Sequence, residues 1–263
     1  MNKIIVYGED IKIENKNGIE VSIGEASKFL NVQSVKIKIL EDTDIVIDAS
    51  EVEIKLDFYI NVLEGVKANI YEYKHDGEYK FQYKYYLEDN SYLNVEKIND
   101  GKKIKEMTVI NLNGENAKVQ FNLKTISKYE EKYNFLVYHN AKNTVSNIVN
   151  NGVNILDGTL EFNVSGFVSN GITGCDVNQK ARIINLTGNN CVIKPNLFID
   201  ENDVIANHSA LIGTFSTDEI FYLMSRGISK KESENLLTKG FLLKGITYYK
   251  DTLKEIINRY WRW

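Results

Sequence analysis

Three histidines and two cysteines are the side chains of this 263-residue chain best able to hold a metal or act as a nucleophile. His75 lies in Lys74-His75-Asp76-Gly77, a turn signature, and reads as a solvated turn residue. His139 follows Val137-Tyr138 and precedes Asn140, which reads as the end of a strand. Neither has a second ligand at a spacing that a zinc site uses. Cys175 and Cys191 have no CxxC partner, and nothing near them in sequence supplies the cation or helix terminus that activates a thiol, so both read as inert. His208 sits in Asn207-His208-Ser209-Ala210, shortly before Gly213; taken alone, a histidine at the end of a strand reads as a structural hydrogen-bonding group, although imidazole also ionises and coordinates readily. Acid-bearing strands such as Glu51–Asp57 are where a glycosidase or lyase would pair carboxylates, but alternation with Val52, Ile54 and Leu56 marks a solvated face.

No nucleotide or hydrolase motif accompanies these residues. There is no P-loop, no Gly-x-Ser-x-Gly elbow and no His-Glu-x-x-His helix. Gly166, Gly171 and Gly174 lack the strand–loop–helix context of a dinucleotide site and read as corner glycines. The formal charge of −4, with lysines interspersed among acids, gives no footprint for nucleic acid. The apolar run Ile4–Tyr7 is shorter than a signal-peptide core, and no stretch approaches membrane-spanning length. A cytoplasmic protein with reduced thiols, no membrane contact and no nucleic-acid partner is the expectation.

Two periodicities must position these residues. From about Val35 to Leu211 short runs alternate with period two, as in Val35-Lys36-Ile37-Lys38-Ile39 and Val119-Gln120-Phe121-Asn122-Leu123, broken by Asn, Asp and Gly clusters. Many short strands of this kind fit a sandwich, a barrel or a solenoid. Asp76-Gly77, Asp100-Gly101 and Asn113-Gly114 between such runs predict tight hairpins and antiparallel pairing in the first half. After Gly213 the period becomes helical. Ser216 with Glu219 and Ser229 with Glu232 read as capping boxes, Gly227 and Gly240 as helix stops, and Leu253, Ile256, Ile257 and Tyr260 as one face of a third helix.

The most specific stretch begins at Pro195-Asn196-Leu197-Phe198-Ile199-Asp200. It continues through Asp203-Val204-Ile205-Ala206-Asn207-His208-Ser209-Ala210 to Asp218-Glu219-Ile220-Phe221-Tyr222-Leu223-Met224-Ser225-Arg226-Gly227-Ile228. This run, about 178–240 in extent, resembles the C-terminal signature of the SufB/SufD family of the SUF iron–sulfur cluster assembly machinery. The resemblance implies a right-handed parallel β-helix followed by a small α-helical domain, and overrides the hairpin reading at least for the C-terminal half. SufB proteins carry a cysteine where this chain has Lys180 and a glutamate where it has Ser209. A lysine cannot act as a soft sulfur donor, which places the resemblance closer to a short SufD-type subunit.

From that resemblance follow the remaining expectations. The chain would be a non-enzymatic scaffold with a β-helix domain over 1–212, residues 1–32 set apart as an N-terminal lead-in, and an ATPase-docking helical domain over 213–263. Its partners would be a SufB-like subunit, or a second copy of itself in a self-pairing minimal scaffold, and a SufC-like ABC ATPase. It would hold no intrinsic cofactor but a transient iron–sulfur cluster, ligated by His208 at the subunit interface. Phe221, Tyr222, Arg226, Leu236 and Phe241 would meet the ATPase. The competing class is a β-solenoid carbohydrate-active enzyme; a purely structural adhesin is disfavoured by the missing secretion signal.

Overall fold

The computed structural model describes residues 1–27, 32–52 and 54–261. In chain order the strands are β1 (Asn2–Tyr7), β2 (Asp10–Glu14), β3 (Ile19–Ser27), β4 (Val32–Ile39), β5 (Thr43–Ser50), β6 (Lys55–Val62), β7 (Lys67–His75), β8 (Glu78–Leu87) and β9 (Tyr92–Asp100). They continue as β10 (Lys103–Leu112), β11 (Lys118–Ser127), β12 (Glu130–His139), β13 (Val145–Asn154), β14 (Thr159–Val168), β15 (Cys175–Asn185), β16 (Cys191–Ile199) and β17 (Val204–Gly213). Three helices follow: α1 (Thr217–Ser225), α2 (Lys230–Leu242) and α3 (Lys250–Trp261).

From β5 onward the strands alternate between two sheets. The odd-numbered ones, joined by β1 and β2, build a nine-stranded sheet in the order β17-β15-β13-β11-β9-β7-β5-β1-β2, and the even-numbered ones, joined by β4 and β3, an eight-stranded sheet, β16-β14-β12-β10-β8-β6-β4-β3. Every coil therefore contributes one strand to each sheet, and the result is a parallel β-solenoid of about seven turns. Among the described residues only β1–β2 and β3–β4 pair antiparallel. Ile4 and Val6 of β1 lie in the core, and β1 pairs in parallel with β5, so the start of the chain is built into the first coil.

The hairpin expectation fails for a physical reason. A solenoid strand has one face inward and one face in water, so it alternates like an antiparallel strand although its neighbours are parallel. The Asp-Gly and Asn-Gly dipeptides turn the chain from one sheet to the other rather than back on itself. Gly114 shows what such a corner requires: a Cβ there would lie 1.9 Å from the amide nitrogen of Asp89 in the preceding coil. Asn90, Asn116 and Asn143 take left-handed backbone at successive corners, a conformation asparagine tolerates. Gly166 is no corner at all; it lies within β14, where a Cβ would press against Val177 and Gln179 at 3.0 Å.

The helical tail folds onto the outer face of the nine-stranded sheet. Ile98, Ile126, Val153 and Ile184, on four consecutive strands of that sheet, form a second core with Phe215, Leu242, Ile246, Leu253, Ile256 and Ile257. A tail this short gains its stability from that packing. Polar clamps add to it: Glu96 accepts from the Thr247 amide at 2.8 Å and hydroxyl at 2.7 Å, and Asp100 accepts from Tyr260 at 2.6 Å and Arg259 at 3.2 Å. Of the two expected capping boxes, Ser229–Glu232 forms in both directions. Ser216 instead accepts from the Asp218 amide, one residue earlier than the box requires. Gly240 lies inside α2, which runs on to Leu242, and the turn comes at Gly245, whose φ is +78°.

Candidate functional site

His208 stands on the last strand of the nine-stranded sheet. In register, Phe121, Ile148, Gln179 and His208 occupy one column on four successive strands. The first three are buried in the solenoid, and Val204 and Ala206, which share the parity of His208 on β17, pack against Cys175 and Val177. His208 is thus an inward-column residue that no further coil covers, and it is exposed. One rung behind it, Gln179 donates to the Asn196 carbonyl at 3.2 Å, while its own side-chain oxygen is buried without a partner. Lys180 and Ser209 are direct cross-strand partners and both exposed. Among the described residues no strand follows β16 or β17 in either sheet, and Phe198, Ile205, Leu211 and Ile212 are all exposed there.

The other reactive side chains go elsewhere. His139 is buried, with Nδ1 2.8 Å from the Thr144 hydroxyl and Nε2 2.8 Å from the Ser146 hydroxyl; burial pushes its pKa down to about 4. His75 ends β7, within 3.4 Å of Asp48 and 3.0 Å of Asp76, and the hydrogen bond to Asp48 raises its pKa. Cys175 is buried and its thiol points at the Ala141 carbonyl, 3.6 Å away; Cys191 is half-buried, and burial raises its pKa. Among the described residues no group of three or more His, Cys, Asp or Glu is arranged to hold a metal ion.

On the tail, Phe221, Tyr222, Met224 and Leu236 are exposed, Phe221 by 73%. Arg226 lies over the Tyr222 ring at 4.5 Å. A groove of about 510 Å³ lined by Gly227, Ile228, Glu232, Leu236, Lys239 and Trp261 adjoins this surface. Phe241 is placed differently: it is half-buried against the second core, beneath Arg182 at 5.2 Å. It holds the tail to the solenoid and is not part of the exposed patch.

Sequence reasoning missed a charged quartet sealed in the solenoid. Glu72 and Lys74 on β7, Lys97 on β9 and Glu106 on β10 are all essentially inaccessible. Lys74 Nζ lies 2.8 Å from Glu72 and 2.6 Å from Glu106, while Lys97 Nζ lies 2.9 and 2.8 Å from the same two carboxylates. Thr108 and Tyr83 donate to the carboxylates, and Lys97 sits 3.2 Å from the Tyr83 ring centroid. Burial alone would raise the pKa of Glu106, but the ammonium groups of Lys74 and Lys97 hold it down at about 2. One coil further, Glu131 accepts from Thr125 at 2.5 Å and Tyr133 at 2.7 Å, and burial drives its pKa up to about 7. A signal existed once strand parity was fixed: Ala68, Ile70, Glu72 and Lys74 share the inward face of β7.

A parallel solenoid with a docked helical tail defines the fold class as a β-solenoid with a small C-terminal helical domain. Within that class the match is specific: residues 38–241 fit the family described as SUF system FeS cluster assembly, SufBD core domain, and the chain belongs to that family. It is 33% identical over 148 residues to the iron–sulfur cluster assembly protein SufD of Bacillus subtilis, covering 55% of this chain and 34% of that protein. Over 105 residues it is 31% identical to an iron–sulfur cluster assembly SufBD family protein of Mycobacterium tuberculosis, covering 40% of this chain and 12% of the relative. A SufBD family protein of Archaeoglobus fulgidus is 39% identical over 57 residues, 22% of this chain and 15% of the relative. The aligned part thus spans about a third of the SufD relative and less of the others. No helix among the described residues is long and apolar enough to cross a membrane.

Proposed function

We propose that this chain is a non-catalytic, cytoplasmic scaffold subunit of SUF iron–sulfur cluster assembly, closest in kind to SufD. It pairs through its open last coil with a SufB-like subunit or a second copy, and places His208 at that junction as one ligand to the cluster being built. The observation that carries this reading is His208 on an inward column with nothing above it. A repeat protein normally covers its terminal coil, so a bare apolar one is a surface made for a neighbour. Neutral imidazole is a competent iron ligand, and the cluster is cargo here, completed by donors of the partner. The exposed Phe221, Tyr222, Met224 and Leu236, with Arg226 beside them, form the surface for a SufC-like ABC ATPase.

Anaerobic co-expression with a SufB-like subunit and the ATPase, followed by size-exclusion chromatography, tests both contacts. Phe221→Ala with Leu236→Glu should release the ATPase and leave the paired scaffold intact. Point variants are preferable to removing the tail, because truncation would bare Ile98, Ile126 and Val153 of the second core. Retention of the ATPase by the folded double variant would take the docking site off this patch.

A further inference from the structure

The outer face of the nine-stranded sheet is covered by α2 and α3, whereas the outer face of the eight-stranded sheet carries no helix of this chain among the described residues. That second face is organised in columns. Lys55, Lys80, Lys105 and Lys132 stand in register on β6, β8, β10 and β12, one lysine per coil. Like charges stacked directly across neighbouring strands repel. The acids nearby only partly offset them: Glu130 is shared between Lys103 at 3.0 Å and Lys105 at 3.3 Å, and Glu161 between Lys132 at 3.1 Å and Lys194 at 3.3 Å. Two columns along the strands, Val109 and Leu136 are in register and half-buried, an apolar pair between Lys84 on β8 and Ser165 on β14. Beside it Tyr138 stacks on Phe167 at 4.7 Å.

We propose that this face docks an amphipathic helix of a partner protein, with a row of acidic side chains on the lysine column and an apolar face on the Val109–Leu136 pair. The spacing selects a helix. Strands in a sheet are about 4.8 Å apart, so the four lysines span about 14 Å along the solenoid axis. A helix rises 1.5 Å per residue, so acids at i, i+3, i+7 and i+10 fall at about 0, 4.5, 10.5 and 15 Å, each within about 1 Å of a lysine row. An extended acidic strand repeats every ~6.8 Å on one side and loses register by the third lysine. A nucleic-acid strand meets a molecule of formal charge −4, which works against it. The lysine column and the Val109–Leu136 pair, about 13 Å apart along the strands, flank the width of one helix, as the second core on the opposite sheet matches α2 and α3.

Fluorescence anisotropy with a labelled, stapled peptide of about three helical turns tests this, the staple being needed because so short a helix is marginal alone. The peptide carries Glu at i, i+3, i+7 and i+10 and Leu on the adjoining face. The expected result is binding that weakens with salt, falls at least ~10-fold when the peptide's Glu are replaced by Gln, and falls similarly for Lys80→Glu with Lys105→Glu or for Leu136→Asp. The Gln peptide keeps the test independent of whether any protein variant folds. Equal binding of a peptide of the same composition without the periodicity would overturn the proposal, as would tighter binding of a single-stranded oligonucleotide. So would no binding at low salt, or loss of binding through Phe221→Ala and Leu236→Glu but not through the lysine reversals.

Discussion

The two ends of the solenoid are finished in opposite ways. At the first coil two antiparallel hairpins close the sheets, and the outermost strand, β2, presents Asp10, Lys12 and Glu14, with Lys12 paired to Glu14 at 2.7 Å. At the last coil both sheets stop on strands with no neighbour, and Ile205, Leu211 and Ile212 are 62%, 52% and 42% exposed. Charged side chains on an edge strand are a known defence against unwanted strand pairing. Charged side chains thus line the β2 edge, whereas the β17 edge is apolar, and the proposed pairing uses the second. The chain's single proline, Pro195, sits in edge strand β16 and withholds one amide there, whereas β17 has none. β17 therefore keeps all of its backbone donors.

Making the last coil resemble the first should have the largest effect. Leu211→Glu with Ile212→Lys places charges on β17 and should weaken pairing by at least ~100-fold, about 3 kcal/mol. Sedimentation velocity of the purified complex measures it. Lys12→Glu at the protected end should leave the assembly unchanged. Equal sensitivity of the two ends would remove the asymmetry as a guide to function.

A second contrast runs from the interior to the end, between the sealed quartet and the bare histidine. Lys97→Met leaves Glu72 and Glu106 facing Lys74 alone, and an uncompensated buried charge costs about 3–5 kcal/mol. Urea unfolding should show that loss. Adding Glu106→Gln to Lys97→Met should recover part of it, since the remaining Glu72–Lys74 pair is balanced; additive losses would mean that the four groups are not coupled.

Glu131 gives a smaller effect with a definite sign. Its folded pKa, pushed up to about 7, lies above the ordinary carboxylate value of 4.5. Below pH ~4.5 both states carry the proton and there is no penalty; as pH rises toward 7 the unfolded chain releases its proton while the core retains it. Stability is lost across that window, by about 3 kcal/mol when complete. Glu131→Gln should flatten this part of the profile, measured as thermal midpoints at pH 5 and pH 8. A wild-type-like slope in the variant would assign the titration to another group.

What the sequence revealed and concealed divides along physical lines. Strand alternation, the Ser229–Glu232 box and the Leu253–Ile256–Ile257 face are local, and each formed as its spacing implied. Pairing direction is not local: Asn113-Gly114 looks the same whether the chain turns back or moves to another sheet, and only the pairing of β10 and β11 with distant strands shows which. The exposed Phe221 and buried Leu253 could not be told apart by helical spacing, because the sheet that covers one and not the other lies far away in sequence. The quartet was concealed for a related reason: a lysine on an alternating strand reads as solvent-facing until the parity of the whole strand is known.

His208 brings the comparison of interior and end to its smallest expected change in stability. A buried histidine such as His139, bonded at both ring nitrogens, would leave orphaned hydroxyls if removed, at about 1–3 kcal/mol. His208 is exposed and caps an open column, so His208→Ala should shift folding stability by no more than ~0.5 kcal/mol. Its effect should appear instead in the assembled complex, as lower iron and sulfide recovered anaerobically from a particle of normal size. Cys175→Ala and Cys191→Ala, one buried against the Ala141 carbonyl and the other half-buried, should leave iron content near wild type. Iron content and thermal midpoint must be read in the same preparation. If His208→Ala folds, pairs and retains its iron, the ligand at this junction is another residue; if it unfolds the chain, the bare column is covered by contacts of its own.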